Sequence, residues 1–240
     1  MDPFAATKDE LIIEVIRLRR RNEELERLMK VGSLPTKVYK FLLDTIIALS
    51  STAREVEPDT GEHQDRVAEL ARLMAETLAK PLNLKQKQID ACSIGAQLHD
   101  IGKIAHNVLP LVLLDCGLND DQWRDMKSHP IIGGRILQEF DCPWKLADIV
   151  WDHHERLNGS GYPAGKQGED ISIEAGIVCV ADVVEAMSTP RRYRPQTPGL
   201  DAAHEHIYEN KGILYYPDVV DACLAVFADG FMFSGTSCVQ

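Results

Sequence analysis

The residue types in this chain that could do chemistry are Asp59, His63, His99, Asp100, His129, His153, His154 and Asp182. Some of them stand side by side, in His99-Asp100 and in His153-His154-Glu155, and a Gly161-Tyr162-Pro163 run begins eight residues after His153. Burying several imidazoles and carboxylates without partners costs kilocalories per group, so ordinary packing does not favour such pairs. A shared metal cluster satisfies them together, with neutral imidazole nitrogen and ionised carboxylate oxygen as ligands. Each residue taken alone has a plainer reading. A lone helical histidine is usually a surface or satisfied core residue, and His106, His204 and His206 are left in that class. Asp59 could equally serve a turn in Pro58-Asp59-Thr60-Gly61, and Asp182 could be an ordinary helix carboxylate. The set stands out because the plain reading would have to hold at every position.

The spacing suggests how such a cluster would work. Asp100 has two oxygens and can bridge two cations, while its neighbour His99 supplies nitrogen to one of them. His153 and His154 are about 100° apart on a helix, so both can face one cluster only where the helix ends or points its tip at it. The glycine-rich stretch after Leu157 is consistent with that ending. Two metals about 3.5–4 Å apart clamp the attacking and leaving oxygens of a phosphoryl transfer and generate hydroxide near neutral pH. Imidazole and carboxylate ligation without thiolate suits two divalent ions, Fe or Mn first, with Zn or Ni as alternatives.

The elements that must hold these residues are helical almost throughout. Residues 8–31 are charged, with Leu11, Leu18 and Leu25 at heptad spacing; they predict a dimerising or connecting helix, the alternative being a helix packed on its own domain. Gly32-Ser33-Leu34-Pro35 breaks that pattern. Apolar periodicity then marks helices at 42–49, 67–78 and 89–98, the last leading into His99-Asp100. Further helices are expected near 120–127, 130–140, 143–154, 173–188, 199–210 and 216–228, with 156–170 as a loop. Ile177-Val178-Cys179-Val180 could pass for a buried strand, but it has no partner strands. The fold class expected is all-α.

Composition narrows the function further. The 240 residues, 45% apolar and 26% charged, are enough for one substantial core plus an appendage. No apolar run approaches the roughly 18 residues of a membrane span, and the N-terminus lacks a secretory pattern, so the expectation is a cytoplasmic protein with no membrane contact. The six cysteines include no Cys-x-x-Cys, which leaves any metal site to histidine and carboxylate. A net charge of −11 argues against binding long nucleic acid, although metal ions and local basic residues can reverse the field within a pocket.

The combined motifs resemble the HD-GYP subgroup of the HD-domain phosphohydrolases over roughly Thr36 to Phe233. The matching residues are His99-Asp100-Ile101-Gly102-Lys103, His129-Pro130 with Gly133, His153-His154-Glu155 with Asn158-Gly159-Ser160-Gly161-Tyr162-Pro163, and Ala181-Asp182-Val183-Val184-Glu185-Ala186-Met187 with Arg191-Arg192-Tyr193-Arg194. The resemblance implies an HD-domain helical bundle at 35–235, between an N-terminal helix or linker (1–34) and a short tail (236–240). It implies a phosphodiesterase that cleaves the bacterial second messenger cyclic di-GMP to pGpG, or on to GMP, by attack of a metal-bridging hydroxide. The metal ligands would be His63, His99, Asp100, His129, His153, His154 and Asp182, with Asp100 and Lys103 central to catalysis.

Lys103 would meet a substrate phosphate, the alternative being a helix-end cation favoured by the macrodipole. Arg191 and Arg194 would lie near the phosphates, or form a solvated basic patch. The Gly161-Tyr162-Pro163 loop would shape the site and offer a protein partner a contact. Glu155 would orient a ligating histidine. A third ion would rest on Asp59, where some family members carry the longer glutamate. Two further departures are Asn158 in place of a usual aspartate and Asp115-Cys116-Gly117 in place of Lys-Pro-Gly. Homodimerisation would use the N-terminal helix, which in relatives of this kind joins a sensor or receiver. The rival readings are an HD phosphohydrolase acting on another cyclic dinucleotide or nucleotide, and a non-catalytic module that binds cyclic di-GMP or docks a partner.

Overall fold

A computed structural model describes residues 58–114, 117–139, 144–190 and 196–233, with side chains from Glu62 onward. The expected N-terminal helix, the tail, Arg191 and Arg194 lie outside the described residues. The helices are α1 (Pro58–Leu78), α2 (Gln86–Leu98), α3 (Leu109–Val112), α4 (Asp120–Met126), α5 (His129–Gln138), α6 (Leu146–Asp152), α7 (Ile173–Ser188), α8 (Leu200–Glu209) and α9 (Pro217–Ala228). Short 3₁₀ turns cover Ile101–Ile104 and Gly168–Asp170. Among the described residues no strand forms, and the only pairing of strand type is two isolated bridges, Asn158 with Gln167 and Lys211 with Tyr215. The all-α expectation holds there. No helix among them is long and apolar enough to cross a membrane.

The organising element is α7. Its residues from Ala175 to Ala181 are all buried, and it packs on α1, α2, α6, α8 and α9. An α-helix apolar on every side is stable only when enclosed by others, and Ile177-Val178-Cys179-Val180 is therefore helix rather than strand. Ser172 caps it, its hydroxyl accepting from the Ala175 amide at 3.2 Å. Around α7 the core gathers Leu70 and Met74 of α1, Cys92 of α2, Ile207 of α8 and Val220 of α9. Each such large side chain contributes about 1.5–3 kcal/mol through burial.

Two polar positions interrupt the enclosed helix, Asp182 and Glu185, one turn apart on one face. The α1 surface opposite offers His63 and Arg66 at the same spacing. The α1–α7 contact is thus apolar along most of its length and ionic at one place.

The other donors come from helix ends. α2 stops at Leu98, and Asp100, with φ −96° and ψ 7°, turns the chain into the Ile101–Ile104 segment. α6 stops at Asp152, so His153 and His154 occupy the turn beyond it, as required if both are to face one cluster. That turn meets the start of α5, where His129 stands at the first helical position. Gly102 permits the closest approach: a Cβ there would lie 2.0 Å from the His129 carbonyl oxygen. The glycine after His-Asp therefore serves the packing of two donor-bearing segments. Gly102→Ala is expected to destabilise the fold by about 1–3 kcal/mol, the usual cost of overpacking, and to lower metal affinity in parallel. Denaturant unfolding together with metal content checks this; a variant of native stability would show that the approach is not tight.

Candidate metal centre

Seven side chains from α1, the α2–3₁₀ junction, α5, the end of α6 and α7 converge. His63, His99, Asp100, His129 and His153 are buried, while His154 and Asp182 are partly so. Their donor atoms fall into adjoining groups of three, each with atoms within 4.8 Å of one another. One comprises His63, His99 and Asp182; another comprises His129, His153 and His154. Asp100 stands between them, with Oδ2 3.3 Å from His99 Nε2 and Oδ1 3.3 Å from His129 Nε2.

The rings are oriented from behind. His99, His129 and His153 each direct Nδ1 at a backbone carbonyl three residues back, of Ala96 (2.6 Å), Met126 (2.8 Å) and Val150 (2.7 Å). A carbonyl oxygen only accepts, so Nδ1 carries a proton in each of these rings and Nε2 is the nitrogen turned to the centre. Across the centre His129 Nε2 lies 3.3 Å from His153 Nε2, and His63 Nε2 lies 3.2 Å from Asp182 Oδ1. Two donors on one ion at about 2.1 Å are separated by about 3.0–3.4 Å, and these spacings match. His99 Nε2 and Asp100 Oδ1 are, in addition, fully buried and make no hydrogen bond. A cation satisfies both. The residues present therefore fit a pair of metal ions.

The field inside the cluster is uneven. Burial pushes the His129 imidazole down to about 4 and holds His153 and His154 well below the ordinary range. At His99 burial also opposes the charge, yet the Asp100 and Asp182 carboxylates outweigh it and lift the ring to about 9. Burial raises Asp100 and Asp182 too, but the surrounding imidazoles, joined by Lys103 at Asp100, keep both well below the carboxylate range. Lys103 Nζ rests 2.6 Å from Asp100 Oδ2 and is about one-quarter exposed, so its ammonium reaches the mouth of the centre.

The signature loop folds back on this turn. Tyr162 donates its amide to the His154 carbonyl at 3.2 Å, and its ring lies 4.6 Å from the His154 ring at an interplanar angle of 31°. Gly161 passes so close that a Cβ would meet Glu155 Cα and the Arg156 amide nitrogen at 2.5 Å. Asn158 supports the turn, its side-chain oxygen accepting from the Ser160 amide and hydroxyl at 3.0 and 2.7 Å. The aspartate usual at that position is thus replaced without loss of the turn.

One expected role is corrected. The Glu155 carboxylate orients no histidine; its oxygens accept from the amides of Ala164 (2.7 Å) and Lys166 (3.0 Å), and so it pins the loop. Lys166 returns to Asp152 at 2.7 Å, closing the loop a second time. The carboxylate that does orient a ligating ring is Glu185, fully buried on α7. One oxygen faces His63 Nδ1, and the other accepts from Arg66 Nε at 2.8 Å. Sequence reading missed Glu185 and Arg66, although their spacing after Asp182 and His63 is the same. Asp59 lies in the first turn of α1, its side chain outside the described set. The remaining histidines are ordinary: His206 bonds the Tyr215 hydroxyl at 3.0 Å, His204 packs on Phe227, and His106 is exposed.

The HD domain family model matches residues 60–187. The chain is 39% identical over 182 residues to the cyclic di-GMP phosphodiesterase response regulator RpfG of Xanthomonas campestris pv. campestris, covering 73% of this chain and 46% of that protein. It is 35% identical over 192 residues to a cyclic di-GMP phosphodiesterase of Thermotoga maritima, covering 79% and 50%. The chain thus spans about half the length of these relatives. Among solved structures, a cyclic GMP-AMP specific phosphodiesterase of Vibrio cholerae superposes with a TM-score of 0.57 at 16% identity, over 79% of this chain and 49% of that one. That likeness establishes the all-α fold.

If Glu155 pins the loop, Glu155→Ala strands two backbone amides at a cost of about 1–3 kcal/mol each. Hydrogen exchange at Ala164 and Lys166 should accelerate while metal content stays near that of the parent chain. Loss of metal with an unchanged loop would return Glu155 to the histidines.

Proposed function

This chain belongs to the HD domain family and to its HD-GYP subgroup, and on that footing we propose that it is a metal-dependent phosphodiesterase opening cyclic di-GMP to linear pGpG. The observation that carries the reading is the pair of three-donor groups with Asp100 between them, one oxygen toward each, and the Lys103 ammonium beside that carboxylate. The names of the two curated relatives support the choice of substrate.

In this reading His63, His99 and Asp182 would hold one ion and His129, His153 and His154 the other, with Asp100 available to either. Imidazole and carboxylate donors without thiolate favour Fe or Mn over Zn or Ni. When bound, such a pair supplies Lewis-acid charge to a phosphodiester and makes water acidic enough to react near neutral pH. The chain's own residues do the rest. Asp100 and Asp182 stay ionised and acceptor-only, so they take up no proton from the reacting water at neutral pH. Lys103 neutralises a phosphate oxygen at the rim, and Arg191 and Arg194 are proposed as further phosphate contacts. Tyr162, held against His154, forms one wall of the substrate cleft and a surface for a protein partner. A second cleavage to GMP would rest on a third ion at Asp59. Homodimerisation through the segment 1–34 and a cytoplasmic location belong to the same proposal.

The test is product identification after incubating Mn- or Fe-loaded protein with cyclic di-GMP, cyclic GMP-AMP and mononucleotides. Release of pGpG with preference for cyclic di-GMP is expected. Preference for mononucleotides, or tight binding of cyclic di-GMP without pGpG, sinks the reading. Asp100→Ala should abolish metal loading and turnover together. Lys103→Ala should retain metal and lose on the order of 10²-fold in kcat, the scale for removing one preorganised charge-stabilising donor.

A further inference from the structure

The two donor groups are unequal in charge and in how their rings are backed. The group of His129, His153 and His154 offers imidazoles alone, and His129 and His153 are backed by backbone carbonyls. The group of His63, His99 and Asp182 contains a full carboxylate of its own. It also contains the ring backed by a buried carboxylate from another helix, His63 on Glu185. A carboxylate behind an imidazole makes the ring a more basic, more electron-rich ligand, and the effect of such partners on metal affinity is 10–100-fold. Asp100 does not break the tie, because it gives one oxygen to each group. Arg66, 2.8 Å from the far oxygen of Glu185, offsets part of that charge, whereas Asp182 faces the imidazoles of its own group, His63 at 3.2 Å and His99 at 3.8 Å. Lys103 lies on Asp100 Oδ2, the oxygen that faces His99, and so offsets part of that carboxylate's charge on the same side, leaving Asp182 and the carboxylate behind His63 as what distinguishes the two groups.

From this asymmetry we infer that the centre fills in order: the His63/His99/Asp182 group takes the first ion tightly, the His129/His153/His154 group takes a second, exchangeable ion, and Glu185 is the positioning residue that sets the difference. The inference rests on the two-metal reading above and specifies how that site is regulated. The first ion is a resident part of the fold, since it neutralises the buried carboxylates joining α1 to α7. The second answers to the supply of divalent metal in the surroundings. Assembly of the complete centre would then depend on metal availability even when substrate is present.

The experiment is a titration of the chelator-stripped full chain with Mn²⁺, followed by heat and by the electron paramagnetic resonance of free Mn²⁺. Metal content after dialysis against a chelator is measured in parallel. Two steps are expected, separated by at least about 10-fold in Kd, with one ion per chain surviving dialysis. Glu185→Gln, which keeps the shape and removes the charge, should weaken the tight step by about 10–100-fold and leave the weak step in place. His154→Ala should remove the weak step and leave the tight one. A single step for two equivalent ions, or an unchanged tight step in Glu185→Gln, overturns the ordering while leaving the two-metal reading intact. No uptake of Mn²⁺ at all overturns both. Should Glu185→Gln fail to fold, the wild-type and His154→Ala titrations still decide, because equivalent ions in the first or loss of both steps in the second contradict the order.

Discussion

Seven imidazole and carboxylate groups share one buried volume, and their charge must balance inside it. Water cannot solvate these donors, and each group unpaired in the interior costs kilocalories. The protein therefore surrounds them with a fixed set of second partners: three helix-end carbonyls, one carboxylate and one ammonium. The rest of the architecture follows from holding those partners still. Helices terminate at the cluster because a helix end frees carbonyls to orient rings, and adjacent residues beyond the end can both turn inward. α7 is enclosed on every side because its two charged positions must face α1 at a set depth.

The signature loop belongs to the same balance. His154 sits where α6 has ended, without the regular helix ladder to hold it. Its place is secured instead by Tyr162, which meets it through both ring and amide, and by the return of the loop to Glu155 and Asp152. Lys127 Nζ stands over the Tyr162 ring, 5.5 Å from its centroid, adding a cation to the same contact. A change in the loop is thereby felt at the His154 imidazole, which Tyr162 touches directly. The loop connects surface and centre.

For an HD domain, this arrangement divides the donors between helices and turns. The α1–α7 seam carries negative charge and resembles a structural metal site in its enclosure. The α5–α6 side offers imidazoles alone and is covered by the signature loop through Tyr162.

Much of this was legible along the chain. Apolar periodicity marks α1, α2 and α4 to α9 but not the single turn α3, and the His99-Asp100 and His153-His154 pairs announce buried donors, because these features repeat over one or two turns and need no distant partner. That a helix must end or point its tip at His153-His154 was also readable, from the angle between neighbours, although α6 stops at Asp152 and not at 154 as expected. Tertiary structure decided the rest. His63 and Glu185 are 122 residues apart, and no local pattern says that they meet. Sequence adjacency instead nominated Glu155 for that role, whereas packing turned it toward the loop amides. Gly102 reads as a turn glycine until the His129 carbonyl is found where its Cβ would be. The sequence alone determined which atoms could bind metal, since donor chemistry is a property of each residue. Which donors share an ion, and with what charge behind them, was decided only when helices distant in sequence packed face to face.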